Sequence, residues 1–316
     1  MFSACLSVWF GSQAVDAATV LVSDFANNQV LSYDVSESGT WSSSEVFISS
    51  GTYGGVSFTN PLGLASDGAN MYVATSSAIL RFSTTGSYLG VVRNVSGANG
   101  LTVDASGNLY YTVTFGSASA QGLFKIADPS TTATQTTIAT GLSNARGVAV
   151  GSDGRIYVAQ RGAGTITAYN ADGSFSGTIT SGLGSVQALT WDADGGRLLF
   201  SYSVGADLTR MSIGAVTTAG TLTEIYNNSG ATYFFNNALG VVSVSGSVFA
   251  SSIQSNNISK INGLTSASDV VTGPDAGFML VLGTIPEPSA AALLAGLVGG
   301  GLVMLRRNRK GDVRSE

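Results

Sequence analysis

The 316-residue chain has no histidine, a single cysteine, five prolines and only 10% charged residues. With no imidazole, histidine general-base catalysis and histidine metal ligation are both excluded. The lone cysteine, Cys5, has no partner for an intrachain disulfide, and cleavage of the N-terminal stretch that carries it would leave no thiol for catalysis. Charge is sparse and negative: between Ala18 and Pro288 nine Lys and Arg stand against sixteen Asp and Glu, a net charge of −7. A body of that sign repels a phosphate backbone, so nucleic acid is not an expected partner. Helical periodicity is also missing from the body, where apolar residues alternate over short runs instead.

Glycine (41 residues) is abundant together with Ser, Thr and Asn, a composition suited to strands joined by many turns. Five segments share one plan, an apolar strand, a small turn and a second strand: PLGLASDGANMYVAT (61–75), NGLTVDASGNLYYTV (99–113), ARGVAVGSDGRIYVAQ (145–160), QALTWDADGGRLLFSY (187–202) and ALGVVSVSGSVFASS (238–252). Their turn glycines, Gly68, Gly107, Gly154, Gly195 and Gly246, are 39, 47, 41 and 51 residues apart, the repeat length of four-stranded propeller blades. Two incomplete units remain. TVLVSDFANNQVLSYD (19–34) lacks an inner strand, and DAGFMLVLG (275–283) is an inner strand with nothing after it. Joining them predicts an all-β, six-bladed β-propeller over 18–284, closed by its N- and C-terminal strands, a closure that leaves no open array edge. A pair of β-sandwiches is the alternative architecture.

The two ends read differently from the body. Residues 1–17, ending in Val15-Asp16-Ala17, form a mildly apolar stretch with small residues at signal-peptidase spacing but no leading Lys or Arg, the pattern of a shortened signal peptide. Residues 289–305 carry no charge, and Arg306, Arg307, Arg309 and Lys310 follow directly. Seventeen apolar residues closed by cations predict a single C-terminal transmembrane helix with a basic cytoplasmic anchor and the body outside.

Pro286-Glu287-Pro288-Ser289, the Gly/Ala/Leu-rich run and the Arg-rich end, in that order, resemble the PEP-CTERM sorting signal of Gram-negative bacteria, with Ile285 where valine is usual. That resemblance implies export and inner-membrane anchoring by residues 285–316. It also implies processing near Pro286-Glu287-Pro288 by an exosortase, and delivery to a cell surface or matrix rich in exopolysaccharide, the setting of biofilms. VSDFANNQVLSYD and GVAVGSDGRIYVAQ resemble the NHL repeat over residues 19–283, although Leu198-Leu199-Phe200 and Val248-Phe249-Ala250 replace the usual Tyr-Val-Ala. Propellers of that kind include lyases that depend on histidine and lactonase-like hydrolases that hold a metal in the channel through oxygen ligands. The acids Asp67, Asp104, Asp153, Asp192 and Asp194 stand beside glycine at strand ends and read as turn-formers. No catalytic residue, metal site or cofactor is therefore expected. A metal-dependent hydrolase or lyase with one divalent cation such as calcium is the competing reading.

Inner strands of a propeller begin around its axis, which makes the residues at their starts candidate ligand contacts. Counting back from Gly63, Gly100, Gly147, Ala188 and Gly240, these are Asn60, Asn99, Asn144, Arg146, Gln187 and Asn237. A ring of amides around one guanidinium has donors and acceptors for sugar hydroxyls or peptide carbonyls. The expectation is a binding module for glycan or surface protein; strand-end caps lining a wet channel are the plainer alternative.

Overall fold

The computed structural model describes residues 18–117, 120–131, 133–203, 208–229 and 235–284. The signal peptide read over 1–17 and the sorting motif, transmembrane helix and basic anchor read over 285–316 lie outside the described residues. Those residues form six four-stranded antiparallel sheets and one short hairpin, Thr52–Tyr53 with Val56–Ser57, between the first two blades. No helix among the described residues is long and apolar enough to cross a membrane.

Blade 1 is built from both ends of the described chain. Its inner strand, Ala276–Thr284, pairs with Ala18–Asp24, in register Leu21 to Leu280 and Val22 to Met279, and Gln29–Val35 and Glu45–Ile48 complete the sheet. This is the ring closure that the two incomplete sequence units predict. Each of the other blades runs outward in sequence order, with inner strands Leu64–Ser66, Ala98–Val103, Ala145–Val150, Ser185–Asp192 and Ala238–Val244.

Alternating side chains place one face of each sheet against the next. The buried apolar residues accordingly divide into six layers, one between every pair of neighbouring blades. The layer joining blade 6 to blade 1 packs Val242, Phe249 and Ile258 against Val20, Val22 and Tyr33, so the closing contact is as apolar as the others.

Near the axis the inner strands approach so closely that side chains are excluded. A methyl group on Gly100 would lie 2.5 Å from the Arg146 carbonyl oxygen, and one on Gly147 would lie 2.5 Å from the Leu189 amide. Hydroxyls from the second strands fasten these contacts. Thr112 Oγ1 accepts from the Gly100 amide (3.0 Å) and donates to the Arg146 carbonyl of the next blade (2.5 Å). Ser201 links Ala188 to Ala238 in the same way (3.1 and 2.7 Å), and Ser251 links Gly240 to Gly277 (2.9 and 2.5 Å).

At the opposite ends of the inner strands the aspartates hold turns, as the sequence implies. Asp67, Asp104 and Asp153 accept from turn amides, and each also accepts the hydroxyl of a buried tyrosine, Tyr72 (2.8 Å), Tyr110 (3.0 Å) and Tyr157 (2.7 Å). Burial opposes ionisation of these carboxyls, but the donated hydrogen bonds outweigh it and hold all three below the usual range. Asp192 accepts from the Gly195 amide and pairs with Arg197 at 3.0 Å.

Candidate binding site at the channel mouth

The inner strands start at one end of the axis, here called the mouth, and finish at the other. Two local features repeat where they start. First, a residue in the left-handed conformation turns the chain into the strand: Asn60 (φ 51°), Gly97 (φ 78°), Asn144 (φ 56°) and Asn237 (φ 56°). Asparagine tolerates that region better than other side-chain-bearing residues, which accounts for its recurrence in the sequence. Second, a one-residue bulge follows. Ala98 pairs with Val113 and Leu101 with Tyr111, so three steps on the inner strand match two on its neighbour, and blades 4, 5 and 1 repeat the offset. In blade 6 a single step is exceeded by one, and in blade 2 both Leu62 and Gly63 bond to Ala74. Bulges re-aim side chains, and they recur beside functional sites.

The residues that begin the bulges are Leu62, Asn99, Arg146, Gln187, Leu239 and Gly277. Three consecutive blades thus contribute an amide, a guanidinium and an amide, while the other three contribute apolar groups or none. Asn99 and Gln187 are each 1% exposed. Gln187 donates to Asn237 Oδ1 at 2.6 Å and packs on Met211 Sδ at 3.8 Å, leaving Oε1 without a partner. Neither amide atom of Asn99 has a partner.

The six residues singled out from the sequence therefore divide into two tiers. Asn99, Arg146 and Gln187 occupy the bulges, whereas Asn60, Asn144 and Asn237 make the preceding turns. Asn60 is exposed, and its backbone amide is bound by the Asn28 side chain (2.8 Å). Asn144 keeps one buried, unpaired oxygen, and Asn237 meets Gln187. Besides these, the mouth holds four residues that the sequence reading passed over. Arg161 donates from its backbone to the Asn144 carbonyl (3.1 Å) and from Nε to Ser185 Oγ (3.3 Å). The Arg146 guanidinium lies 5.8 Å from the ring centre of Phe115, which is 59% exposed. Asn236 and Asp275 each keep one buried oxygen without a partner. A count of strand starts alone misses Arg161 and Phe115, since they follow the ends of second strands. Antiparallel pairing returns those ends to the mouth, as in Ala145 opposite Gln160.

Seven buried side-chain polar atoms without a partner belong to Asn99, Asn144, Arg146, Gln187, Asn236 and Asp275. Buried polar groups are ordinarily satisfied, so the clustering of these atoms at one end of the axis distinguishes the mouth from the rest of the described residues. The electrostatics agree. Burial, and then the neighbouring charge of Arg161, pull the Arg146 guanidinium down to about 10. Burial, and then the charge of Asp24, push the Asp275 carboxyl above its usual range. Beyond the glycines near the axis, on the side away from Arg146, lies a cavity of about 530 Å³ with walls from Leu101, Val148, Leu189, Trp191, Val242 and Met279. No cluster of three or more potential metal-ligating acids occurs among the described residues.

No protein-family model and no curated protein sequence matches the chain. Solved structures do share its fold. A chain of a nidogen/laminin complex superposes over 84% of this chain and 98% of its own length, with a TM-score of 0.68 and 15% identity. A streptogramin B lyase covers 84% and 87% with a TM-score of 0.54 and 15% identity. Virginiamycin B lyase from Staphylococcus aureus covers 82% and 85% with a TM-score of 0.54 and 14% identity. At such identities the likeness is one of fold, a six-bladed propeller that these other proteins carry in a protein complex and in lyases.

Proposed function

We propose that this chain is an exported, non-catalytic binding propeller that holds a glycan at the mouth of its axial channel. The observation that carries the proposal is the convergence of seven buried, unpartnered amide, guanidinium and carboxyl atoms on that one end. Amides that both donate and accept suit sugar hydroxyls, which do the same. An exposed aromatic ring at the rim, Phe115, adds an apolar face for a sugar ring. The resemblance of residues 285–316 to a sorting signal supports a surface or matrix setting, with an exosortase as processing partner and the inner membrane as the initial anchor.

Catalysis finds less support. A virginiamycin B lyase with one histidine replaced by alanine is catalytically inactive, and this chain has no histidine. Asp67, Asp104, Asp153 and Asp192 are engaged in turns and give a divalent cation no shared ligand set.

Retention on exopolysaccharide from the source cells tests the binding role. Arg146→Ala and Asn144→Ala should each reduce retention of the purified protein while its circular dichroism stays unchanged. Every hydrogen bond lost to a ligand is expected to weaken binding by about two- to tenfold. Retention equal to the parent's in both variants and in the double variant would identify these side chains as strand-end caps.

A further inference from the structure

Arg146 and Arg161 stand out within the mouth. They come from blade 4 and its following turn, where the Arg161 amide donates to the carbonyl of Asn144, two residues before Arg146 (3.1 Å), and the charge of Arg161 acts on Arg146. The ion pairs found among the described residues are Arg155 with Asp153 and Arg197 with Asp192. Neither Arg146 nor Arg161 is in them. Two like charges at the mouth of one blade repel each other, and partial burial of Arg146 deepens the cost by removing solvent. Their remaining contacts are neutral: the Phe115 ring for Arg146 and the Ser185 hydroxyl for Arg161. The arrangement is unexpected in a body with a net charge of −7, where carboxylates outnumber cations and pairing is available at low cost. Flanking the pair, Asn99 and Gln187, each 1% exposed, carry amide atoms without partners.

We propose that Arg146 and Arg161 together form a carboxylate subsite, and that the ligand at the mouth is an acidic, uronate-bearing glycan. The assignment rests on the glycan reading above and adds the charged group that fixes the ligand's position. A guanidinium fork matches a carboxylate's two oxygens, and hydrogen bonds between ionised partners are roughly twice as strong as neutral ones. One uronate carboxylate bridging both arginines would remove their mutual repulsion. Its ring hydroxyls would then reach toward the unpaired amides of Asn99 and Gln187, and the sugar face would lie toward Phe115. Asp275 is the one acid at the mouth with a buried, unpaired oxygen. It immediately precedes the inner strand of blade 1, separated from blade 4 by two blades on either side, so it leaves the arginine side of the ring positive. An acidic peptide offers the same carboxylate but lacks clustered hydroxyls for the flanking amides, which favours the sugar.

The test uses the full chain and three probes in titration calorimetry: trigalacturonate, its fully methyl-esterified form, and a tetraglutamate peptide. The expectation is that trigalacturonate binds at least about tenfold more tightly than the ester, and that Arg161→Gln abolishes that difference while thermal unfolding is unchanged. Arg146→Gln should act likewise; if it fails to fold, the Arg161 variant still decides. Equal binding of acid and ester, undisturbed by Arg161→Gln, would overturn the carboxylate subsite and leave the glycan reading standing. Tight binding of tetraglutamate with none of trigalacturonate would overturn the glycan reading and leave an anion site. Absence of binding by all three probes would sink both.

Discussion

Replacement of Thr112 by valine separates the role of one hydroxyl from the space its side chain fills. Thr112 is fully buried, and its Oγ1 joins the Gly100 amide to the Arg146 carbonyl across the gap between blades 3 and 4. Valine preserves the shape but leaves both backbone groups without this partner. Each orphaned buried group costs about 1–3 kcal/mol, so with two such groups Thr112→Val should lose about 2–6 kcal/mol. Thr112→Ser keeps the hydroxyl and removes one buried methyl, for a loss of about 1 kcal/mol. Ser201 and Ser251 already perform the same bridging with the smaller side chain. Urea unfolding followed by tryptophan fluorescence, with an unchanged denaturant slope, measures both losses. A valine variant as stable as the serine variant, or more so, would refute the claim that hydroxyl bridges fasten the blades.

Truncation after Gly273 removes the strand Ala276–Thr284 and with it the buried Ala276 and Met279; calorimetry should show a melting temperature far below that of a form ending at Pro288, or no cooperative transition. Asp153→Asn should be less stable than the parent at pH 6, because the folded carboxyl is held below its ordinary value of 3.8. That deficit should vanish as the pH falls through and below that value, which thermal melts across pH 2–6 can follow. Asp275→Asn should show the opposite sign: its carboxyl is raised in the fold, so the variant gains stability at pH 7 and the gain fades below about pH 4. In cells with a working exosortase, Glu287→Ala should change the mass and location of the mature protein, as read by mass spectrometry of cell fractions.

Most of the architecture was legible because it is written in local chemistry. Turn glycines at near-regular spacing marked the hairpins, and the complementary half-units at 19–34 and 275–283 specified the closure. The mouth was legible only in part. Asn60, Asn144 and Asn237 stood out through repetition, and that repetition reflects a left-handed turn whether or not the side chain also faces the site. What distinguishes Asn99, Arg146 and Gln187 is a bulge, which depends on a neighbouring strand and leaves no local pattern. Arg161 and Phe115 were hidden for a related reason, since they arrive through antiparallel pairing from elsewhere in the blade. The hydroxyl bridges were equally invisible: Thr112, Ser201 and Ser251 occupy equivalent positions, yet Ala74 and Ala159 fill the same place in blades 2 and 4.

The closing strand also gives the molecule a direction. Ala276–Thr284 starts at the mouth and runs nine residues to the opposite face, about 30 Å at the usual strand rise. Ala18 pairs with Thr284 there, so the chain both enters and leaves the wheel on the face away from Arg146. Any tether attached through residue 285 onward therefore holds the protein by its back. On the proposed reading, the mouth would then point outward like a dish on a mast, free to meet a polymer strand that a sideways or inverted mounting would block. Many copies fixed to one support would present their mouths in a common orientation, so weak contacts along a single long chain would reinforce one another.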